Sequence, residues 1–528
     1  MGMMGEVTAS AVDWTRGPDP WWERRWLLAL VVLATTLPLL YPAVPPLVDL
    51  PGHIGRYRVE LDLNHSPFLQ RYYGFHWAVM GNLGVDLLIL GLAPLVGLEP
   101  AVKLIILAIP PLTAAGFLWV AREVHGRVPP TAYFALPFIY SFPLLYGFAN
   151  FALSAALAFL AFGFWLRLGR LDRRRLRAAL FVPISFALFF CHTYGLGLLG
   201  LMCFSAEIVG QRQRGRSLIG ATVLAALSTV ALGLPLLVML LWPSGSHDQL
   251  ATEWFNWGMK WGGFYNVLRD RWGPFDVSTL ELAGVIFAFA LVSPKLSLAP
   301  KLSLAAAVLA VCFVLLPRFI MQSAYADVRL LPFLFAIMLL AIRLRAPADL
   351  RLGSALAVFG LLFFAVRLTG TTVSLTMAAR AQEAKLAALQ FVPRGARVAS
   401  FVGLPAAEPW SMPRESHLGA LVIARREGFS NDQWLVASHN LLELKYRGAG
   451  TFAGNPSEIV RPNDEHDGAY RTIDEALAQV PRDGFDYVWL LNPPSFDKRL
   501  VGDMQLVWTG PRALLYRIPH ATRRMNSV

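Results

Sequence analysis

The sequence predicts an α-helical polytopic membrane protein with about 11 transmembrane helices and a small C-terminal α/β domain. Hydrophobic residues make up 55% of the 528 residues and charged residues only 16%, well below the roughly one quarter that a soluble domain carries. Several apolar runs reach the length of a bilayer, and basic residues crowd the short loops between them. A polar stretch of ordinary globular composition follows the last apolar run, which predicts the C-terminal domain.

The net charge of +12 is explained by membrane topology. In a soluble protein it would suggest nucleic acid as a partner, but here the basic residues flank apolar segments. We therefore expect them to set the topology and to contact membrane lipid headgroups, with no nucleic acid partner. The three cysteines all lie in apolar runs and have no metal-binding spacing. The first apolar run is too long for the core of a signal peptide, which predicts an uncleaved first span.

Charge alternation assigns the direction of each span. Arginines precede the first span, so residues 1–25 are predicted to be cytoplasmic. The loop 167–177 contains six arginines and is also predicted to be cytoplasmic, which requires the short apolar stretch 82–98 to be a re-entrant or interfacial helix. The predicted spans are then 26–48, 101–120, 132–146, 151–166, 178–191, 196–209, 218–242, 277–292, 302–316, 330–342 and 355–368.

These spans divide the chain into a transmembrane domain of residues 26–370, with a first external loop of residues 49–100, and an extracytoplasmic domain of residues 371–528. The C-terminal domain contains no nucleotide-binding, zinc-protease or serine-hydrolase motif, so it carries no catalytic signature of its own. Its predicted elements are strands at 397–402 and 485–491, a terminal hairpin of 504–508 with 513–518, and a helix at 473–480 after Thr472.

The most informative stretch begins at Asp49, directly after the first span. Pro51 suits the first turn of a helix, which places Asp49 at the helix N-terminus. On that helix His53, Arg56 and Glu60 share one polar face beside an apolar stripe. We therefore predict an amphipathic helix on the bilayer surface, with its polar face available for chemistry. The alternative is a plain interfacial helix that Asp49 caps.

Polar residues near the span ends gather at the predicted outer side, which suggests a polar cavity that opens outward. Each of them alone could equally contact lipid headgroups. The external loop 243–276 combines tryptophans with Lys260, Arg269 and Arg271, which suits either the binding of a lipid phosphate or an aromatic belt at the membrane surface. The remaining outward residues are Asn150, His192, Tyr194, Gln322, Asp327 and Arg329.

The whole arrangement resembles a bacterial membrane glycosyltransferase of the GT-C type, the superfamily of oligosaccharyltransferases, protein mannosyltransferases and aminoarabinose transferases. The resemblance depends on four features of the architecture. These are an acidic residue at the start of the first external loop, an interfacial helix pair in that loop, about eleven spans and an exported C-terminal domain. Leu50 follows Asp49, whereas mannosyltransferases carry an Asp-Glu pair there. In sequence, the resemblance depends on Asp49 with His53, on 146–151, on His192 and on 327–329.

The resemblance implies transfer of a sugar from a polyprenyl-phosphate-linked donor to an extracytoplasmic glycan, lipid or protein at the bacterial inner membrane. Asp49 would be the catalytic carboxylate that takes the acceptor's proton, kept ionised by Arg56 and the helix N-terminus. Alternatively, Asp49, His53 and Asp327 would ligate a divalent metal ion such as Mg²⁺ or Mn²⁺. Residues expected to bind the substrates, including cations for the departing phosphate, are His53, Arg56, Glu60, Asn150, His192, Tyr194, Lys260, Arg269, Arg271, Arg318, Asp327 and Arg329.

Two other classes of function compete with the enzyme. A transporter or lipid flippase would show an internal repeat and broken helices with polar residues at mid-membrane, and we find no repeat. A non-catalytic assembly partner for envelope polysaccharide would use the C-terminal domain as its binding module. Convergence of Asp49, His192 and Asp327 in one external cavity would favour the enzyme.

Overall fold

The computed structural model describes residues 20–241, 251–320, 323–345, 349–407, 409–435, 441–454, 456–466 and 468–520. Most of the predicted cytoplasmic N-terminus, Trp242, the first part of the loop 243–276 and Gln322 lie outside these residues. Helices occupy most of the chain up to Phe391, as predicted for a helical membrane protein. Six helical segments are long and apolar enough to cross a membrane, namely Leu98–His125, Ala149–Arg170, Thr193–Gln213, Leu218–Val238, Gly273–Val292 and Leu350–Phe391.

The helices of this first part pack against one another around a large apolar core. Small strand pairs connect some of their loops: β2 (Ala251–Thr252) pairs with β4 (Phe319–Ile320), and β3 (Leu296–Leu298) with β5 (Ile342–Leu344). In chain order the α-helices are α1 (Arg25–Ala34), α2 (Leu37–Leu40), α3 (Leu50–Asp62), α4 (Pro67–Tyr72), α5 (Gly84–Val96), α6 (Leu98–His125), α7 (Phe142–Tyr146), α8 (Ala149–Arg170), α9 (Arg174–Cys191), α10 (Thr193–Gln213), α11 (Leu218–Thr229), α12 (Trp257–Tyr265), α13 (Gly273–Val292), α14 (Pro300–Leu315), α15 (Leu331–Leu340) and α16 (Leu350–Leu386).

Three of the predicted spans break within their length. The first, predicted over 26–48, breaks after α1 and is not helical between α2 and α3, where several prolines remove backbone donors. The third, predicted over 132–146, is a 3-10 helix over Pro130–Tyr140 followed by α7. Because a 3-10 helix rises about 2 Å per residue, against about 1.5 Å for an α-helix, this stretch still covers most of a bilayer. The seventh, predicted over 218–242, changes from α11 to a 3-10 helix over Val230–Leu241.

The change in composition at residue 370 does not mark the end of a helix. α16 continues through it without a break to Leu386, over 37 residues in all. The polar residues 371–386 contain neither proline nor glycine, so nothing in their sequence stops the helix. The helix therefore carries the chain directly from the membrane part into the C-terminal part.

The C-terminal part contains the elements β6 (Arg397–Gly403), α17 (Leu421–Arg426), β7 (Phe429–Ser430), β9 (Ile459–Arg461), β10 (Arg471–Thr472), α18 (Ile473–Gln479), β11 (Tyr487–Leu491), β12 (Gln505–Gly510) and β13 (Ala513–Arg517). These seven strands form a mixed sheet in the order β10-β9-β6-β11-β13-β12, with β7 also beside β6. A separate pair joins β1 (Tyr73–Phe75) to β8 (Leu442–Leu444). The predicted strands, terminal hairpin and helix are confirmed, and Thr472 and Glu475 cap that helix reciprocally.

The predicted helix after Asp49 is present as α3, but it does not lie on an open membrane surface. Its Ile54 and Tyr57 side chains are fully buried, and α3 packs against α17 of the C-terminal part. A Cβ atom at Gly55 would lie 2.8 Å from the Ala420 carbonyl oxygen, so glycine at this position allows the close approach. The helix is therefore enclosed between the membrane part and the C-terminal sheet.

Candidate functional site

A cavity of about 600 Å³ lies where α3 and the starts of α8 and α10 meet the C-terminal part. This volume is in the usual range for a small-molecule site. Its wall combines predicted residues from the membrane part with residues from the C-terminal part that the sequence analysis did not identify. Seven predicted site residues line it: Asp49, His53, Arg56, Asn150, His192, Tyr194 and Arg329.

The backbone at Asp49 is fixed by the turn that precedes α8. The Asp49 N–H donates to the Tyr146 carbonyl oxygen at 2.8 Å. Gly147 adopts a φ of +106°, and a Cβ atom there would lie 2.8 Å from the Asp49 nitrogen, so only glycine suits both the conformation and the contact. The Asp49 side chain makes no capping hydrogen bond to α3, which argues against the helix-cap alternative.

Among the described residues, the Asp49 carboxylate forms one ion pair, with His417 of the C-terminal part. Its Nε2 atom lies 3.8 Å from Asp49 Oδ1, and its Nδ1 atom lies 2.8 Å from Oδ1 of Asp432. Asp432 is fully buried. The imidazole thus lies between two carboxylates, one on each side of the junction between the membrane part and the C-terminal part.

The environment moves the pKa values of Asp49 and His417 in the same direction. Burial raises the pKa of Asp49 to about 7, against the opposing effect of His417 and Arg329. Burial alone would lower the pKa of His417, but Asp432, Asp49 and Glu458 outweigh it and raise this pKa to about 9. Near neutral pH, Asp49 therefore exchanges a proton readily while His417 stays protonated. A carboxyl group with a pKa near the working pH is well suited to general base catalysis.

Arg56 lines the cavity but does not hold Asp49 ionised. Its guanidinium forms a buried ion pair with Asp86, and the same carboxylate lies 3.3 Å from the Asn150 amide nitrogen. This network joins α3, α5 and α8 and builds one wall of the cavity. The prediction that Arg56 keeps Asp49 ionised is wrong, because Asp86 satisfies the arginine instead.

Arg329 presents a positive charge to the cavity. Its Nη2 atom donates to Ser323 Oγ at 2.9 Å and to the Ala324 carbonyl oxygen at 3.0 Å. The guanidinium carbon lies 4.2 Å from the centre of the Phe148 ring. No carboxylate of the described residues forms a salt bridge with it, so its charge is available to an anion in the cavity.

Several polar atoms of the cavity wall are buried and have no hydrogen-bond partner among the described residues. Buried polar atoms are normally paired, so their concentration here points to a polar ligand. Burial, reinforced by Arg56, lowers the pKa of His53 to about 3, which makes this histidine neutral and able to accept or donate one hydrogen bond. The unpaired atoms are His53 Nδ1, the hydroxyl oxygens of Tyr57 and Tyr194, and Arg329 Nε.

Lys260 and Asp327 are predicted site residues that the structure assigns to a different role. They form a buried ion pair at 2.8 Å, and Lys260 Nζ also donates to the carbonyl oxygens of Phe313 and Leu316, each at 2.8 Å. Lys260 is therefore fully occupied and does not bind a phosphate.

Because Asp327 lines a neighbouring cavity, the predicted metal site of Asp49, His53 and Asp327 is not assembled. The predicted convergence of Asp49, His192 and Asp327 in one cavity is likewise wrong for Asp327, since only Asp49 and His192 line the main cavity.

The neighbouring cavity has a volume of about 260 Å³ and shares Tyr146 and Tyr325 with the main one. Arg269 and Arg318 line it, and Arg269 donates to two backbone carbonyl oxygens. Two predicted substrate-binding residues, Glu60 and Arg271, line neither cavity. On the same loop as Arg271, the side chains of Trp254, Trp257 and Trp261 are exposed, as an aromatic belt would be.

A divalent metal ion would find a different set of ligands from the predicted one. The ligand atoms of His417, Asp432 and Glu458 lie within 4.8 Å of one another. Two carboxylates and an imidazole suit a divalent cation. Binding would require His417 to lose the proton that it shares with Asp432, so a metal ion and a protonated His417 are alternative states of this cluster.

The chain matches no model of a protein family, no curated protein and no solved structure. The functional assignment therefore depends on the residues and geometry of the cavity.

Proposed function

We propose that the protein is a membrane glycosyltransferase that moves a sugar from a polyprenyl-phosphate-linked donor to an extracytoplasmic acceptor. The observation that carries this proposal is the Asp49 carboxylate, with its pKa of about 7, in a cavity that also contains the cation of Arg329. A base and a phosphate-binding cation are the two groups that such a transfer requires.

The residues of the cavity suit a direct displacement. The acceptor's oxygen attacks the anomeric carbon of the sugar, and its proton passes to Asp49. The bond between that carbon and the phosphate oxygen breaks, and the electron pair leaves with the polyprenyl phosphate. Arg329 stabilises the negative charge of the departing phosphate. His417 acts as a positioning residue, because its positive charge and its bond to Asp432 hold it against Asp49.

The position of the cavity is appropriate for a lipid-linked donor. It lies at the N-terminal ends of α8 and α10. In the topology that we propose, these ends are at the outer membrane surface, which a water-borne acceptor and a membrane-bound donor can both reach. The neighbouring cavity shares Tyr146 and Tyr325 with it and is lined by Arg269 and Arg318. We assign this neighbouring cavity to the approach of the donor, since Arg318 contributes a cation to its lining.

The proposal is tested with the purified full-length chain and a panel of polyprenyl-phosphate sugars. We expect one donor to release polyprenyl phosphate in the presence of an acceptor fraction from the cell envelope. Parallel reactions with a chelator decide between a protonated His417 and a divalent ion at His417, Asp432 and Glu458. Folded protein that turns over no donor, yet moves labelled polyprenyl lipid across a vesicle bilayer, would contradict the proposal and favour the flippase.

We also propose the finer topology of about 11 spans in the bacterial inner membrane, with a cytoplasmic N-terminus and an extracytoplasmic C-terminal part. The arginines that join α8 to α9 lie at the end of α8 opposite the cavity, as the positive-inside rule requires. A reporter that is active only outside the cytoplasm should be active when fused after Val528 and inactive when inserted at Asp172. Cytoplasmic activity at Val528 would reverse the assigned orientation.

A further inference from the structure

A third cavity, which is also polar and has a volume of about 650 Å³, lies at the end of the helix bundle opposite the candidate site. Two helices connect it with the candidate site: α8 contributes Asn150 to the site and Arg170 to this cavity, and α10 contributes Tyr194 and Gln211. Since an α-helix rises about 1.5 Å per residue, the two cavities are roughly 30 Å apart, the thickness of the hydrocarbon core of a bilayer. This third cavity therefore lies at the opposite membrane surface.

The lining of this cavity is strongly basic. Five arginine or lysine side chains line it, against only two carboxylates, those of Glu123 and Glu207. The excess of positive charge draws anions to this end of the bundle. The basic residues are Arg170, Arg174, Arg177, Arg214 and Lys301.

The two carboxylates do not neutralise all of these cations. Glu123 accepts from two arginines, the nearer at 2.8 Å. Glu207 accepts from Arg177 at 2.7 Å and from an indole N–H at 3.1 Å. Within the described part of the chain, Arg214 and Lys301 form no salt bridge with a carboxylate, and Lys301 interacts with Glu207 only at longer range. These two side chains, from the end of α10 and the start of α14, are available to an anionic ligand.

The cavity also extends from its basic end into the apolar depth of the bundle. Ser228 lines it from α11, ten residues or about 15 Å along the helix axis from Leu218. Leu166 and Ala206 contribute apolar wall. On the same helix α11, Ile219 and Leu227 are exposed and face the surrounding lipid. A ligand that fits this space has an anionic head and an apolar tail.

We propose that this cavity binds an anionic phospholipid of the cytoplasmic leaflet through its headgroup phosphate. Arg214 and Lys301 contact the phosphate, as basic pockets between membrane helices do, and an acyl chain runs along α11 towards Ser228. A soluble phosphate ester would pair with the basic side chains but would leave the apolar part of the cavity unfilled. The bound lipid joins α10, α11 and α14 at their cytoplasmic ends. The proposal uses the assigned orientation only to name the leaflet and is independent of glycosyl transfer.

The test compares retention of phosphatidylglycerol and phosphatidylcholine by the full-length protein in detergent, measured by native mass spectrometry. We expect wild type to retain one phosphatidylglycerol at least about tenfold more tightly, and the double variant Arg214→Gln, Lys301→Gln to lose this preference, since each surface cation contributes about 1 kcal/mol to binding of an anionic lipid. The matched control Arg212→Gln, Arg216→Gln removes two charges from the same loop. Both control residues are exposed and neither lines the cavity, so the control should keep the preference.

Three results would overturn the lipid assignment. Equal retention of both lipids by wild type would do so without any variant, which keeps the test valid if the double variant fails to fold. Displacement of phosphatidylglycerol by glycerol phosphate at equal concentration would show that the site takes a soluble phosphate ester. Loss of the preference in the control variant would equally show that general surface charge, rather than this cavity, selects the lipid.

Discussion

Asp49→Asn is expected to lower the rate of sugar transfer about 100- to 10,000-fold, because loss of a general base typically costs two to four orders of magnitude. The amide keeps the size of the carboxyl group but cannot take the acceptor's proton. The Asp49 side chain caps no helix, and its nearest charged partner is 3.8 Å away. We therefore expect the thermal unfolding temperature to stay close to that of wild type, while initial rates with the purified protein collapse.

The dependence of the rate on pH separates a base from a structural carboxylate. Asp49 is active when ionised, so the wild-type rate should rise as pH passes about 7. His417 is needed in its protonated form, so the rate should fall again as pH passes about 9. The exposed Asp464 gives the matched control Asp464→Asn, which should preserve both limbs. Wild-type turnover by Asp49→Asn would assign the base to another residue.

Arg329→Met is expected to reduce kcat/KM for the donor about 100- to 1,000-fold, as the loss of one preorganised group at a developing negative charge usually does. Arg329 is held by Ser323 and Ala324 and is opposed by no carboxylate in a salt bridge within the described residues, so its field acts on the ligand. Kinetics with varied donor, together with the affinity for free polyprenyl phosphate, measure the effect.

Two further variants sharpen the interpretation of Arg329. Arg329→Lys retains the charge without the bidentate geometry and should recover part of the lost activity. Arg447→Met removes an exposed arginine of the C-terminal part and should leave kinetics unchanged. If Arg329→Met bound polyprenyl phosphate as tightly as wild type, the phosphate would have to contact another cation, with Arg318 of the neighbouring cavity the first candidate.

Local patterns predicted the elements that depend on local sequence. The helix after Asp49, the strands β6 and β11 and the capped helix α18 all follow from hydrophobic spacing and capping residues. The same patterns do not show whether a side chain is buried or exposed. Lys260 lies in a tryptophan-rich loop, and composition alone suggests a surface phosphate site, yet its ammonium is buried against Asp327.

The C-terminal half of the site could not be predicted because it depends on contacts distant in sequence. Asn431 bonds to both the backbone N–H and the carbonyl of Ser400, at 2.7 and 3.1 Å, and so fixes the loop that places Asp432 beside His417. No short-range pattern contains this information. One signal was available: Asp432 follows β7, a parallel strand beside β6, and ligands of open α/β sheets bind at the carboxyl ends of such strands.

The junction between the membrane part and the C-terminal sheet has a consequence for the biosynthesis of the protein. His417 is synthesised nearly 370 residues after Asp49, which at about 5–20 residues per second is roughly 20–70 seconds later. Throughout that interval Asp49 is present at the membrane without its histidine partner. The pairing of Asp49 with His417 forms only when α16 has emerged and the C-terminal sheet has closed over α3.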